Sequence, residues 1–337
     1  MNRREIATRL ATRLGVLPVL ERFGSRPGLA VLVYHRVLRP DDWPYDRDVI
    51  EATPEQFDEQ VRMLKKRHDV AGPEEMVDLI LHPKKIKRLR VAITFDDGYL
   101  DNYTFAFPIL KAHGLAASFF VPTEFVGTRQ LPWWDRIAYA VRTTTRAVLK
   151  LAYPKPTTIS VDRRNPFLAI RGVLRAFKRE ENVVLSKFLE GVEEACGVAL
   201  PTEAPDRQFL SWSEAAEMQR AGMAIGSHTH SHRILGHLSP DEQRKECEES
   251  RAILAEHDLK ADCLAYPVGN PLSFSSTTQA CVKDAGYRSA FSNYGGVNLP
   301  DTMTSFDVKR IGMDLDESAR HLRARLALSA VAQRQIW

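Results

Sequence analysis

Residues 91–99 read VAITFDDGY, a run of strand-forming residues that ends in two adjacent aspartates and a glycine. Asp96 and Asp97 repel each other, and neither carboxylate helps a buried strand to pack. D-D-G tripeptides most often form surface turns, but here five strand residues precede the pair directly and a helical pattern follows. Gly98 allows a sharp turn without a Cβ clash. The stretch therefore predicts a strand whose end carries functional carboxylates.

Short apolar runs alternate with helical patterns on both sides of this stretch. One β-rich run, LAVLVYH, ends at His35, and a later one, MAIGSH, ends at His228. Strand–helix repetition of this kind predicts a parallel sheet covered by helices. In a parallel barrel the chemistry sits where the strands end, so a barrel is preferred to an open doubly wound sheet. Three of the helical segments begin with typical N-cap residues, namely Thr53, Ser211 and Ser239.

The domain organisation is predicted to be one barrel with two additions. The barrel is expected over residues 28–330, and a helix-biased, Arg/Lys-rich insertion interrupts the alternation at about residues 136–206. Residues 1–27 form a predicted N-terminal amphipathic helix, which is basic. Packing of this helix on the barrel is favoured over contact with an anionic membrane surface. Its apolar stripe comprises Ile6, Leu10, Leu14 and Leu17.

The composition is that of an ordinary globular protein, with 337 residues, 44% of them hydrophobic, and a formal net charge of +4. No zinc-finger spacing or aromatic–basic interleaving indicates nucleic-acid binding. The four cysteines are widely spaced, which favours reduced thiols over a disulfide framework. No run has the roughly 18 apolar residues of a membrane span, and no secretory signal is evident. A cytoplasmic location is expected, with peripheral membrane contact as an alternative; the oligomeric state is left open.

The stretch GSHTHSHRILGH, residues 226–237, predicts a metal site. His228 and His232 are four residues apart, so a helical turn after the strand would place both imidazoles on one face. Two histidines and a carboxylate form a three-ligand centre with an open position, as in catalytic zinc sites. One aspartate of the D-D-G stretch would complete the site, and a divalent ion lowers the pKa of a water to about 7. The other carboxylate could then take a proton as water attacks a carbonyl.

TFDDGY and SHTHSH, in this order, resemble motifs one and two of the polysaccharide deacetylases, the NodB-like domain of carbohydrate esterase family four. The resemblance covers roughly residues 29–135 and 207–315 and implies an irregular (β/α)7 barrel. It also implies one divalent metal ion, zinc first, with cobalt, nickel or manganese as alternatives. By the family's motif, Asp96 is the catalytic base. The metal ligands implied are Asp97, His228 and His232.

LVYHRV, residues 32–37, resembles a stretch of one branch of the family, in which an N-terminal YH motif accompanies a rearranged motif order. In that branch the histidine takes the place of the usual C-terminal catalytic histidine. The resemblance therefore makes His35 the candidate general acid that protonates the leaving nitrogen. A strand-end histidine bonded to the backbone is the alternative.

LAYPVGN, residues 264–270, resembles motif three but departs from its R-x-P-Y form. Ala265 stands where an arginine would steady the catalytic aspartate, so this tether is missing. Arg310, near the last strand, could supply it from elsewhere, although a surface position is the default for an arginine. The peptide N–H of Val268 could still stabilise an oxyanion, because that role needs only backbone. The residues of this motif assigned to substrate binding are Tyr266, Pro267 and Val268.

LPWWDRIAY, residues 131–139, places two tryptophans and an aspartate just after a strand end. Trp133 or Trp134 could stack on a sugar face, and Asp135 could hydrogen-bond the base cluster. An aromatic plug beneath the insertion is an equal alternative.

Together these motifs predict a metal-dependent deacetylase that removes the N-acetyl group of an N-acetylated sugar in a glycan or glycan precursor, with release of acetate. Carbohydrate is therefore the expected partner. The altered motif three leaves two alternatives open. The same centre could serve an amide or O-acetyl ester hydrolase with another substrate, or the chain could be a non-catalytic glycan-binding relative.

Overall fold

A computed structural model describes residues 26–180 and 183–332 of the chain. The helix predicted over residues 1–27 therefore falls outside the described residues up to residue 25. Among the described helices, none combines the length and the apolar character needed to cross a bilayer.

The elements alternate between strand and helix along most of the described chain. In chain order they are β1 (Gly28–Tyr34), β2 (Arg36–Val37), β3 (Ile50–Ala52), α1 (Pro54–Arg67), β4 (Asp69–Val70), α2 (Pro73–Leu81), β5 (Leu89–Phe95), a π-helical turn (Asn102–Ala106), α3 (Phe107–Ala112), β6 (Ser118–Val121), α4 (Trp133–Thr143), β7 (Val148–Leu151), β8 (Thr157–Ser160), α5 (Phe167–Lys178), α6 (Leu185–Cys196), α7 (Trp212–Arg220), β9 (Ala224–Ser227), α8 (Pro240–Glu256), β10 (Cys263–Ala265), α9 (Ser276–Asp284), β11 (Ser289–Phe291), β12 (Arg310–Gly312) and α10 (Ala319–Ala332).

Seven parallel strands form a nearly closed barrel, as the sequence predicted. Strands β1, β5, β6, β9, β10 and β11 are hydrogen-bonded neighbours in chain order, and β12 pairs with β1. A parallel bridge between Phe291 and Val308 brings the chain just before β12 against β11. The carboxyl ends of all seven strands therefore meet at one rim, where the predicted site residues should converge.

The alternation of side chains along the strands separates two cores and aims the site residues inward. On β1, Leu32 and Tyr34 pack against the surrounding helices, whereas Val31 packs in the barrel interior. On β5, Phe95 faces the helices and Ala92 faces the interior. Since successive strand residues point to opposite faces, the residue after Phe95 is directed into the mouth of the barrel.

The insertion expected at about residues 136–206 contains α4, α5 and α6 and, in addition, two strands that the sequence analysis did not predict. Strands β7 and β8 form an antiparallel hairpin within it, in register from Val148 opposite Ser160 to Leu151 opposite Thr157. The alternation of buried and exposed residues in VLKL suits a half-covered strand. Together with α4, α5 and α6 this hairpin encloses a separate hydrophobic core, which includes Phe177 and Phe188.

The predicted helix starts are confirmed. Thr53, Ser211 and Ser239 each form a complete capping box with the residue three positions later. The helical stretch before Gly114 contains a π-helical turn that the sequence pattern did not predict. The four cysteines are all buried and free.

Candidate active site

The two aspartates lie directly after β5, in a turn of left-handed backbone. Asp97 has φ 67° and Gly98 has φ 64°. A Cβ at Gly98 would lie 2.7 Å from Val121 Cγ1, so only glycine fits this turn without displacement of β6. The turn holds both carboxylates in the barrel mouth, where Asp96 is 2% and Asp97 4% exposed.

Asp97, His228 and His232 converge on one point at this rim. Asp97 Oδ1 lies 3.4 Å from His228 Nε2 and 3.2 Å from His232 Nε2. One ligand atom of each residue lies within 4.8 Å of the other two. The predicted helical turn is wrong, because residues 228–232 form no helix. Positive φ at Thr229 (64°) and at His232 (55°) folds the segment instead, and the two imidazole centroids lie 4.7 Å apart.

The chemistry of these three side chains fits a divalent cation. Asp97 Oδ1 is buried and has no conventional hydrogen-bond partner within the described part of the chain. Burial raises the pKa of Asp97, but its contacts with His228 and His232, together with the charge of His35, hold it well below its usual range. Burial lowers the pKa of His232, which favours the neutral imidazole that a metal ligand must offer. His228 Nδ1 lies 2.7 Å from the carbonyl oxygen of Ala265, so its Nε2 lone pair is directed to the shared point.

Arg310 lies directly against Asp96, in the role that the sequence assigned to it as a candidate. Its guanidinium donates two parallel hydrogen bonds, at 2.7 and 2.6 Å, to the two carboxylate oxygens of Asp96. A third bond to the carbonyl oxygen of Ser292, at 2.8 Å, orients the guanidinium. Burial raises the pKa of Asp96, but the charge and hydrogen bonds of Arg310, together with the charges of His228 and His35, lower it below its usual value. Asp96 is therefore an ionised carboxylate at neutral pH, beside the side chains of Asp97, His228 and His232.

His35 lies on the cleft wall and is paired with Glu51, a residue that sequence reasoning missed. Its Nδ1 lies 2.7 Å from Glu51 Oε1, and its backbone N–H donates to Glu51 Oε2 at 2.8 Å. Burial lowers the pKa of His35, but the charge and hydrogen bond of Glu51, together with the charges of Asp97 and Asp96, raise it to about 9. The imidazole is therefore protonated at neutral pH, with Nε2 available to a bound molecule. Glu51 follows no recognisable motif, and only the pairing of β2 with β3 brings it beside His35.

The tryptophans line the cleft but are largely covered by protein. Trp133 and Trp134 are each 4% exposed. The Trp134 ring packs on His232 with centroids 4.3 Å apart, and its Nε1 donates to Tyr99 Oη at 2.7 Å. Asp135 is completely buried, and its Oδ1 accepts a hydrogen bond from the backbone N–H of Asp46 at 3.2 Å. This arrangement agrees with the aromatic plug rather than with an open stacking platform, and Asp135 does not contact Asp96.

Motif three contributes backbone rather than side chains to the cleft. Val268 lines the cleft with φ 64°, a conformation that is costly for a β-branched residue. Its N–H donates no hydrogen bond within the described residues. Tyr266 turns away instead, since it is 1% exposed and its hydroxyl donates to the carbonyl oxygen of Phe306. Neither Tyr266 nor Pro267 is among the residues that line the cleft.

These side chains enclose a cleft of about 320 Å³ at the barrel mouth. Backbone strain is concentrated there, because four of the five non-glycine residues with positive φ in the described chain belong to the site segments. Such strain persists where the surrounding structure enforces a functional geometry. The cleft also contains polar residues that the sequence analysis did not single out: Asp46, Asp48, Arg171, Lys178, Asn270 and Asn293.

Comparisons with known proteins agree with this geometry. A polysaccharide deacetylase family model matches residues 84–290, more than half of the chain. YxkH of Bacillus subtilis (strain 168), which carries a polysaccharide deacetylase name, is 29% identical over 100 residues; the match spans 29% of this chain and only 33% of YxkH.

Two solved structures share the fold over nearly their whole length. The Streptococcus pyogenes deacetylase PplD, solved in complex with acetate, has a TM-score of 0.57 and 19% identity, covering 89% of this chain and 99% of PplD. IcaB from Ammonifex degensii has a TM-score of 0.56 and 21% identity, covering 90% of this chain and 98% of IcaB. With the family model, the barrel and the two motifs in agreement, the chain belongs to the polysaccharide deacetylase family, a family of hydrolases that act on carbon–nitrogen bonds other than peptide bonds.

Proposed function

We propose that the protein is a metal-dependent deacetylase that hydrolyses the N-acetyl group of an N-acetylated sugar in a glycan or glycan precursor. The observation that carries this proposal is that the two adjacent aspartates contact different partners. Asp97 faces His228 and His232, as a metal ligand would, whereas Asp96 is held by Arg310 and is left to accept a proton. The matching family model and PplD both carry the name deacetylase, which supports the same reaction.

Asp97, His228 and His232 would hold the metal, for which zinc is the first choice with two nitrogen ligands and one oxygen ligand. A divalent ion at this point supplies polarisation of the acetyl carbonyl and a more acidic water. The remaining steps belong to the chain. The ionised Asp96 carboxylate accepts a proton from the water as its oxygen attacks the carbonyl carbon.

The other two groups act on the oxygen and nitrogen of the amide. The Val268 N–H donates to the carbonyl oxygen as negative charge develops on it. Protonated His35 delivers its Nε2 proton to the amide nitrogen as the carbon–nitrogen bond breaks, which releases acetate and a free amine. Glu51 keeps this acid protonated at neutral pH, because it raises the pKa of His35 to about 9.

The experiment measures acetate released from N-acetylglucosamine oligomers by the zinc-loaded protein, with an O-acetylated sugar in a parallel reaction. We expect release from the N-acetyl substrate, loss of release on chelation, and recovery on addition of zinc. Asp96→Asn should retain zinc and lose turnover, whereas Asp262→Asn, a matched change at a half-exposed carboxylate, should behave as wild type.

Two results would contradict the proposal in different ways. Undiminished turnover by Asp96→Asn would refute its assignment as the base. Release of acetate from the O-acetylated sugar alone would replace the amide substrate by an ester and keep the same centre.

A further inference from the structure

The insertion contributes two basic side chains to the cleft wall. Arg171 and Lys178 both belong to α5 and both line the cleft that contains Asp97, His228 and His232. They are seven residues apart, which is two helical turns, so they project from the same face of α5. The barrel motifs do not include these residues, because the insertion lies outside both motifs.

Lys178 has carboxylates nearby, Asp46, Asp48 and Asp97, but forms a direct ion pair with none of them. Its ammonium lies 5.7 Å from the ring centroid of Trp133, and it makes no ion pair or hydrogen bond with any residue that the structure describes. An ammonium has three donors to satisfy, and the side chain is only partly exposed to water. Burial and then the nearby Arg171 charge lower the pKa of Lys178, and the charges of Asp46, Asp97 and Asp48 oppose this shift without cancelling it. An anion beside this amine would offset both effects.

The neighbouring carboxylates are engaged elsewhere. Asp48 Oδ2 pairs with Arg171 Nη1 at 2.5 Å. Asp46 Oδ1 accepts a hydrogen bond from the backbone N–H of Asp48 at 3.1 Å. The closest partners of Asp97 are the imidazoles of His228 and His232. Lys178 therefore lines the cleft as a cation that no described carboxylate contacts directly.

We propose that Lys178 binds an anionic group of the substrate, so that the preferred substrate is an N-acetylated sugar that carries a phosphate or a carboxylate. This inference rests on the proposed function and names the chemical class of its substrate. A sugar hydroxyl would satisfy the donors of the amine but would leave its charge uncompensated. An anion satisfies the donors of the amine and also compensates its charge, and charge-assisted hydrogen bonds are about twice as strong as neutral ones.

The test measures binding by calorimetry on the full chain, with and without zinc. The probes are N-acetylglucosamine 1-phosphate, an N-acetylated disaccharide that contains a uronate, uncharged N-acetylglucosamine, and inorganic phosphate. We expect at least one charged sugar to bind about tenfold more tightly than the uncharged one, or more, as one charge-assisted hydrogen bond predicts. The tighter of the two charged sugars identifies phosphate or carboxylate as the anion.

The variant Lys178→Met should lose this preference, and Arg175→Gln, an exposed position on the same helix, should keep it. Three results would overturn the inference: equal affinity for charged and uncharged sugars, an unchanged preference in Lys178→Met, or a preference that disappears on chelation of zinc but survives the lysine substitution. The last result would place the anion on the metal.

Acetate release from the same sugars separates this inference from the proposed function. If Lys178→Met lowers kcat/KM for the charged sugar by a clearly larger factor than for the uncharged sugar, both stand. If the charged sugar binds through Lys178 and no acetate is released from any probe, the anion subsite stands and the deacetylase proposal fails.

Discussion

Replacing Arg310 with methionine tests the central electrostatic arrangement of the site without any assumption about the reaction. The Arg310 side chain is 0% exposed and that of Asp96 is 2% exposed. Removal of the guanidinium eliminates both bonds to Asp96 and leaves a buried carboxylate without its counter-charge. Breaking a buried pair in this way costs about 3–5 kcal/mol, a large part of the roughly 5–15 kcal/mol that stabilises a typical domain.

The pH dependence of this loss has a definite sign. In the wild type the folded-state pKa of Asp96 is below its unfolded value of about 3.9. The pair therefore stabilises the fold fully above that unfolded value, and the stabilisation is lost as the pH falls through the folded-state pKa. In Arg310→Met the largest opposing charge is lost, so burial raises the pKa of Asp96 against the charges of His228 and His35 only. Protonation of Asp96 on acidification then removes the unpaired charge. The loss in free energy of unfolding relative to the wild type should therefore be smaller at pH 5 than at pH 7.

The assay is urea unfolding of the metal-free protein at pH 7 and at pH 5. Arg310→Met combined with Asp96→Asn should be less unstable than Arg310→Met alone, because no unpaired charge remains. Arg88→Gln serves as the control, since Arg88 is 71% exposed and its ion pair contributes at most about 1 kcal/mol. For a buried pair, Arg310→Met is expected to lose about 3–5 kcal/mol of the free energy of unfolding at pH 7. A loss below about 1 kcal/mol, the range of an exposed pair, would refute the reasoning. So would a deficit that grows on acidification.

Three further predictions concern the other groups of the site. Glu51→Gln should move the alkaline limit of kcat/KM from the His35 pKa of about 9 towards the unperturbed value of about 6.5, so that activity falls at pH 8. A pH–rate profile whose alkaline limit does not move would contradict the role of Glu51. His232→Gln should weaken zinc binding by about 100-fold or more, because a three-ligand centre loses one of its donors. Competition with a chelating dye measures this affinity, and an unchanged value would show that His232 is not a ligand. Val268→Gly should raise the free energy of unfolding by up to about 1 kcal/mol, because glycine adopts the positive φ without strain. Acetate release should be retained, because only the N–H of residue 268 is used, and a large loss of activity would assign a role to the valine side chain.

Local features were predictable from the sequence because they depend on short-range patterns. Strand and helix periodicity gave the order of the barrel elements, and side-chain caps marked three helix starts at Thr53, Ser211 and Ser239. The polar residues at strand ends identified the rim, since every parallel strand delivers its carboxyl end to the same side. The helical turn expected between His228 and His232 was wrong, because left-handed backbone at Thr229 and His232 cannot be read from residue spacing.

By itself, then, the sequence determined the barrel, the rim and the residues that meet there, because strand alternation and motif order are local. Tertiary structure alone decided which charges pair. Closure of the barrel brings Arg310 to Asp96 across 214 residues, the pairing of β2 with β3 brings Glu51 to His35, and folding of the insertion over the mouth leaves Lys178 in the cleft. Such pairings depend on long-range contacts between elements, and no periodicity within one segment encodes them.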